Sequence, residues 1–180
     1  MEKYLEINMK IKISDKQIEK LKKLIDKLGI DNLGIEPYKL IEMGLVKSLS
    51  DDLNLYKAPI KSLGNLKSVG SNLNLRSTPI EDLGNLESVG GYLFLENTPI
   101  KSLGNLKSVG GFLNLYNTPI KSLGNLKYVG GFLNLENTTI ESLGKLKSVE
   151  GNLYLKNCPL SNLSDEEIRS QVEIKGKIYR

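Results

Sequence analysis

The sequence predicts a mostly-β repeat solenoid built around a parallel sheet, and three observations carry that expectation. A Leu-x-Leu pair recurs every 20 residues, at Leu53/Leu55, Leu73/Leu75, Leu93/Leu95, Leu113/Leu115, Leu133/Leu135 and Leu153/Leu155, with no insertion between copies. A Leu-Gly step follows at the same offset, at Leu63-Gly64, Leu83-Gly84, Leu103-Gly104, Leu123-Gly124 and Leu143-Gly144. Within one unit, Ile100, Leu103, Leu106 and Val109 are three apart, whereas Leu113 and Leu115 are two apart. That switch in period predicts a tight, non-strand arc followed by a strand. A unit this short cannot bury its apolar edge alone, so copies must stack and share one interior.

Three segments follow. Residues 1–45 read as an N-terminal cap with a degenerate first coil. Leu5, Ile7, Met9, Ile11 and Ile13 alternate with Glu6, Asn8, Lys10 and Lys12, which predicts a half-buried strand over 4–13. Ser14 and Gln17 form a capping-box pattern before helically spaced Ile18, Leu21, Ile25 and Leu28, with Gly29 as the stop. Pro37 opens another helical turn ending near Gly44, and Leu40, Met43, Gly44 and Val46 echo Ile60, Leu63, Gly64 and Leu66. Residues 46–160 are six 20-residue repeats. Pro59, Pro79, Pro99, Pro119 and Pro159 sit just past each strand, where a missing donor breaks no ladder. Residues 161–180 read as a C-terminal cap: Ser164 and Glu167 make a capping box for a short helix, and Val172, Ile174 and Ile178 suggest a final strand.

The run Leu113-Asn114-Leu115-Tyr116-Asn117-Thr118-Pro119-Ile120 resembles the L-x-L-x-x-N-x-L core of leucine-rich repeat proteins, with Thr118 where that family usually has Asn. Ile120-x-x-Leu123-Gly124-Asn125-Leu126 is similar to the short bacterial repeats, and Leu106-x-x-Val109-Gly110-Gly111-x-Leu113-x-Leu115 looks like the coils of receptor L domains. The resemblance covers about two thirds of the chain. It implies a right-handed superhelix with a parallel sheet on one face, used mainly to bind proteins. The cysteines of extracellular receptors do not accompany it.

Composition narrows the chemistry. The 180 residues contain no His, which removes the commonest general base and metal ligand. With a single cysteine, Cys158, no metal cluster and no internal disulfide is expected, which suits a reducing, cytoplasmic compartment. Gly144-Lys145 lacks the spacing of a phosphate-binding loop. Neither a signal peptide nor the roughly 20 apolar residues of a membrane span is evident. No base-and-nucleophile constellation points to an enzyme, and no cofactor is implied. Abundant Lys, Asn and Ile with scarce Arg hint at an AT-rich genome, such as that of a low-GC bacterium, a phage or a large virus.

Repeated columns then separate scaffold from surface. Asn97, Asn117, Asn137 and Asn157, and likewise Asn65, Asn85, Asn105 and Asn125, read as ladders satisfying buried backbone groups at turns, or else as an Asn-lined face. Thr78, Thr98, Thr118 and Thr138 form a further column that Cys158 ends as a small buried residue. Strand alternation sends the residues flanking each leucine outward. This gathers Tyr92, Phe94, Phe112, Asn114, Tyr116, Phe132, Asn134, Glu136 and Tyr154 on one side as a candidate protein-binding surface. The same rings also suit aromatic ladders, or packing under the caps.

Elsewhere Lys47, Lys67, Lys107, Lys127 and Lys147, interrupted by Glu87, make a basic track, and Lys61, Lys101 and Lys121 alternate with Glu81 and Glu141. Such tracks follow a nucleic acid or, more often, keep a repetitive surface soluble. The favoured function is a non-catalytic module docking one protein, as a monomer or weak homo-oligomer. The alternatives are a dimeric DNA-binding protein using the N-terminal strand-helix arm, with Asn8, Lys10 and Lys12 outward, or a structural homo-oligomer built by strand addition at an end coil.

Overall fold

The computed structural model describes residues 37–180. The expected strand over 4–13, the helix opened by Ser14 and the proposed DNA-binding arm lie outside the described residues. Pro37 does open a short helix, α1 (Pro37–Glu42). Leu40 and Ile41 turn inward from it, Gly44 holds a φ of +70° as Gly64 holds +52°, and Val46 is fully buried. Met43, expected in the place of Leu63, is 47% exposed. It follows the end of α1, and Ile41 is the helix residue whose side chain is wholly inside.

Each coil contributes two very short strands rather than one. The first set is β1 (Ser48–Leu49), β3 (Ser68–Val69), β5 (Ser88–Val89), β7 (Ser108–Val109), β9 (Tyr128–Val129), β11 (Ser148–Val149) and β13 (Glu173–Ile174). The second is β2 (Leu53–Asn54), β4 (Leu73–Asn74), β6 (Leu93–Phe94), β8 (Leu113–Asn114), β10 (Leu133–Asn134), β12 (Leu153–Tyr154) and β14 (Ile178–Tyr179). Each set forms its own seven-stranded parallel sheet in chain order. The register pairs equivalent residues, Leu93 with Leu113 and Val89 with Val109, so the 20-residue period of the sequence is the register of the sheets. The chain is a parallel β-solenoid.

The Ser–Val segment, expected as part of a non-strand arc, is therefore strand. A two-residue strand shows no alternation for a sequence pattern to detect, and only pairing with the neighbouring coils defines it. Between the sheets runs one continuous core. In one coil Ile100, Leu103, Leu106, Val109, Leu113 and Leu115 are all fully buried. Thr98 and Thr118 are buried among them, and each Oγ1 donates to the carbonyl three residues back, Leu95 and Leu115, at 2.8 Å. That bond removes the penalty of a dry hydroxyl. Cys158 ends the column in the same buried position, and burial pushes its thiol pKa up.

Two backbone demands fix the glycines and asparagines. A Cβ on Gly110 would stand 2.1 Å from the Gly90 carbonyl oxygen, so adjoining coils touch there through bare backbone. At Gly124 the constraint is conformational: φ is +56° and nothing lies within 4 Å of an added Cβ. Positive φ also explains Asn97, Asn117, Asn137 and Asn157, at +54° to +57°, where Lys57 and Ser77 occupy the same corner in earlier coils. The amides do ladder: Asn117 Nδ2 donates to Asn97 Oδ1 at 2.7 Å and Asn157 Nδ2 to Asn137 Oδ1 at 2.9 Å. These bonds lie at the surface and do not relieve buried groups as the sequence suggested. Asn is used because it tolerates the left-handed region.

The last coil is longer. A 3₁₀ turn (Pro159–Asn162) and a helix, α2 (Asp165–Gln171), intervene, so β14 pairs Ile178 with Leu153 across 25 residues. The capping box is present: Ser164 N–H donates to Glu167 Oε2 at 2.7 Å, and Glu167 N–H to Ser164 Oγ at 3.2 Å. The single final strand expected is two strands, one continuing each sheet.

Gly124→Ala isolates the conformational demand, since no clash accompanies it. It should lower stability by about 1–2 kcal/mol, and Gly124→Asn should recover most of that. Urea midpoints of the three proteins measure both.

Candidate binding face

The even-numbered strands present their outward side chains at a spacing set by the backbone, about 4.8 Å between neighbours. The aromatic residues predicted for the site meet here. Phe112 and Phe132 stack at 4.8 Å with ring planes 5° apart, and Tyr92 stacks on Phe112 at 4.0 Å. Phe94 meets Phe112 edge-on at 5.0 Å, and Tyr154 meets Phe132 edge-on at 6.2 Å. Tyr179, which sequence reasoning missed, extends the run by stacking on Tyr154 at 4.9 Å. It lies 25 residues beyond Tyr154 rather than 20, so the period does not point to it.

The rings are both ladder and surface. Tyr92 and Phe132 are each 43% exposed and Tyr179 is 42% exposed, while Phe94, Phe112 and Tyr154 are half-buried. Stacked rings expose their edges, and the ladder holds each ring in place along the stack. The predicted Tyr116 is exposed but joins no ring pair among the described residues; its backbone N–H donates to Asn114 Oδ1 at 3.1 Å. The Asn column carries local turns of this kind, since Glu136 N–H likewise donates to Asn134 Oδ1 at 2.9 Å.

A shallow depression of about 270 Å³ opens in the middle of this face. Phe112, Asn114, Phe132, Asn134, Glu136 and Tyr154 line it, together with the edge of Leu113. Six of the nine residues predicted from sequence thus surround one concavity. Tyr92, Phe94 and Tyr116 are outside its lining.

An electrostatic cluster borders the depression on the N-terminal side. The Arg76 guanidinium lies over the Phe94 ring, 4.6 Å from its centroid, and 3.9 Å from Glu96 Oε1. Asn114 Nδ2 donates to the same oxygen at 2.8 Å. Glu96 Oε2 is buried with no hydrogen-bond partner among the described residues, and the Glu96 side chain retains only 12% exposure. Desolvation raises the Glu96 pKa above the ordinary glutamate value, against the lowering effects of its own backbone, Arg76 and Asn114. Arg76 and Glu96 were visible in the sequence as members of a varying column, but nothing in one dimension placed the guanidinium on Phe94.

The lysine tracks are interleaved with acids. Lys107 Nζ meets Glu87 Oε2 at 2.5 Å and Lys121 Nζ meets Glu141 Oε1 at 3.9 Å, so both tracks are broken by opposite charges. Among the described residues no group of three or more His, Cys, Asp or Glu side chains is placed to hold a metal ion, and no helix is long and apolar enough to cross a membrane.

Compared with protein-family models, curated proteins and solved structures, the chain matches none. Its own geometry must carry the functional argument.

The pH dependence of Glu96 can be read directly. Because its folded pKa lies above the unfolded value, its contribution to stability is greatest below the unfolded pKa and is lost as pH rises through the folded one. Glu96→Gln removes that dependence. The stability of Glu96→Gln relative to the native protein should therefore be higher at neutral pH than near pH 4, as measured by denaturation midpoints across that range. Asp52, Glu87 and Glu167, whose pKa values are lowered, are common to both proteins and cancel in the difference.

Proposed function

We propose that this chain is a non-catalytic interaction module that docks a protein partner on the outward face of β6, β8, β10 and β12. The observation that carries the reading is the unbroken run of partly exposed rings bordering a depression lined by amide and carboxylate groups. Rings pre-positioned by stacking bind with little loss of side-chain freedom, and aromatic residues are enriched where protein partners make their strongest contacts. The repeat pattern supports placing the coils with leucine-rich repeats, whose usual work is protein binding. The buried, unpaired Cys158 suits a reducing, cytoplasmic setting, and a monomer or weak homo-oligomer leaves the face free for its partner.

Capture of partners from the source cell tests the reading. Phe112→Ala combined with Phe132→Ala should abolish capture while far-UV circular dichroism keeps its form. It should also lower stability by about 1–3 kcal/mol, because stacked pairs are lost. Tyr128→Ala on the other sheet, where the ring is 39% exposed, should leave capture intact. Equal loss with the Tyr128 variant would remove the assignment to this face.

A further inference from the structure

We propose that the partner inserts an arginine side chain into the depression beside Glu136, against the rings of Phe132 and Tyr154. The inference rests on the protein-docking reading above and adds the chemistry of the contact.

The repeats allow one coil of the molecule to be compared with another. Tyr56, Arg76, Glu96, Tyr116, Glu136 and Lys156 occupy one column of successive coils. At Glu96 this face already binds a guanidinium, its own. Arg76 takes the flat face of Phe94 and the carboxylate of Glu96, while the Asn114 amide holds that carboxylate in place. Two coils further on, Glu136 repeats the carboxylate in the same column. Three positions of that cluster have changed: Tyr116 stands where Arg76 stood, Tyr154 where Asn114 stood, and Asn134 where Phe94 stood. The internal cation and the internal amide donor are both gone, and the rings that share the hollow with Glu136 are those of Phe112, Phe132 and Tyr154.

Glu136 is half-buried in the wall of the depression. Among the described residues its carboxylate has no hydrogen-bond donor and no ion pair within 4.0 Å; its engaged groups are of the backbone, the N–H donating to Asn134 Oδ1 and the carbonyl accepting from Asn117 N–H. Lys156, the next residue of the column, is exposed and makes no ion pair with it. A half-buried carboxylate that shares a hollow with aromatic rings favours a cation that has a flat, weakly hydrated surface. A guanidinium has that surface, as Arg76 demonstrates on Phe94. Lysine's strongly hydrated ammonium matches the hollow less well. Local charge agrees, since the two carboxylates in this column are Glu96, which has Arg76 as an ion-pair partner, and Glu136, which has none among the described residues.

Three short capped peptides, identical except for a central arginine, citrulline or glutamate, test the proposal against the ¹⁵N-labelled full chain by NMR titration. The arginine peptide should shift amides of residues 132–136 and 154, the citrulline peptide should bind at least about fivefold more weakly, and the glutamate peptide should leave those amides unmoved. Glu136→Gln should weaken the arginine peptide by about the same factor. Arg76→Ala supplies the internal control: vacating the built-in site should add arginine-dependent shifts at Phe94 and Glu96.

If citrulline binds as well as arginine, or Glu136→Gln changes nothing while shifts still map to this face, the arginine proposal is overturned and the docking reading stands. If no peptide shifts the face of the native chain, the arginine proposal is again overturned. The docking reading is then decided separately, by whether captured partners are lost with the Phe112 and Phe132 double variant.

Discussion

Backbone hydrogen bonding between adjoining coils sets a separation of about 4.8 Å, and almost every other feature of the chain is a consequence of holding that distance constant. Leu93 N–H donates to Phe112 O at 3.0 Å and Leu113 N–H to Phe132 O at 3.0 Å, and the same step repeats along the sheet. At such a spacing any residue is forced against its counterparts one period away. Leucines so aligned become a dry core, threonines a buried column, and phenyl rings a stack whose 4.8 Å centroid distance is the coil rise itself. The constraint is equally severe where it forbids: the backbones at Gly90 and Gly110 approach so closely that a side-chain carbon between them has no room.

The repetition turns electrostatics into a matter of columns as well. A column of one sign would place like charges about one coil rise apart, which is costly even at a surface. The chain limits this by changing sign at intervals down the stack, although Lys107, Lys127 and Lys147 follow one another. Glu87 interrupts the lysines and pairs with Lys107, Glu141 pairs with Lys121, and Glu150 in the last regular coil pairs with Lys175 at 2.6 Å. Exposed pairs of this kind contribute little to stability individually. Where they occur they offset the self-repulsion of a monotonous charged surface.

Most of this architecture was legible in one dimension because a period needs no knowledge of three-dimensional contacts. Leu53, Leu73 and their successors declare both the stacking and the register. What the sequence hid falls into three physical kinds. Strands as short as Ser108–Val109 have no alternation to read, so a second sheet passed for an arc. The asparagines at 97 to 157 looked like buried bridges, but backbone dihedral angle, which composition does not display, put them at exposed corners. And Tyr179 lies one helix out of phase, since α2 lengthens the last coil by five residues and shifts everything beyond it. The predicted surface fared according to the same logic. Residues in columns came together around one depression, whereas the pairing of Arg76 with Phe94 crosses between columns and needed coordinates to be seen.

A solenoid that repeats this faithfully has little freedom to evolve a site, because a change inward disturbs the shared core and a change at a glycine disturbs two coils at once. Freedom remains at the outward strand positions, and the chain's departures from its own repeat concentrate there. Position 94 is Phe where positions 54, 74, 114 and 134 are Asn; position 154 is Tyr; position 76 is Arg and 136 is Glu. None of these is needed to stack the coils, since neighbouring coils stack with other residues at the same place. The Arg76–Phe94–Glu96 cluster shows that such departures can assemble into a polar contact with defined geometry while the backbone beneath them stays on its period. Uniformity and variation thereby fall on different faces of the same strand. The leucine side is held uniform by packing, and the solvent side is left to differ from coil to coil.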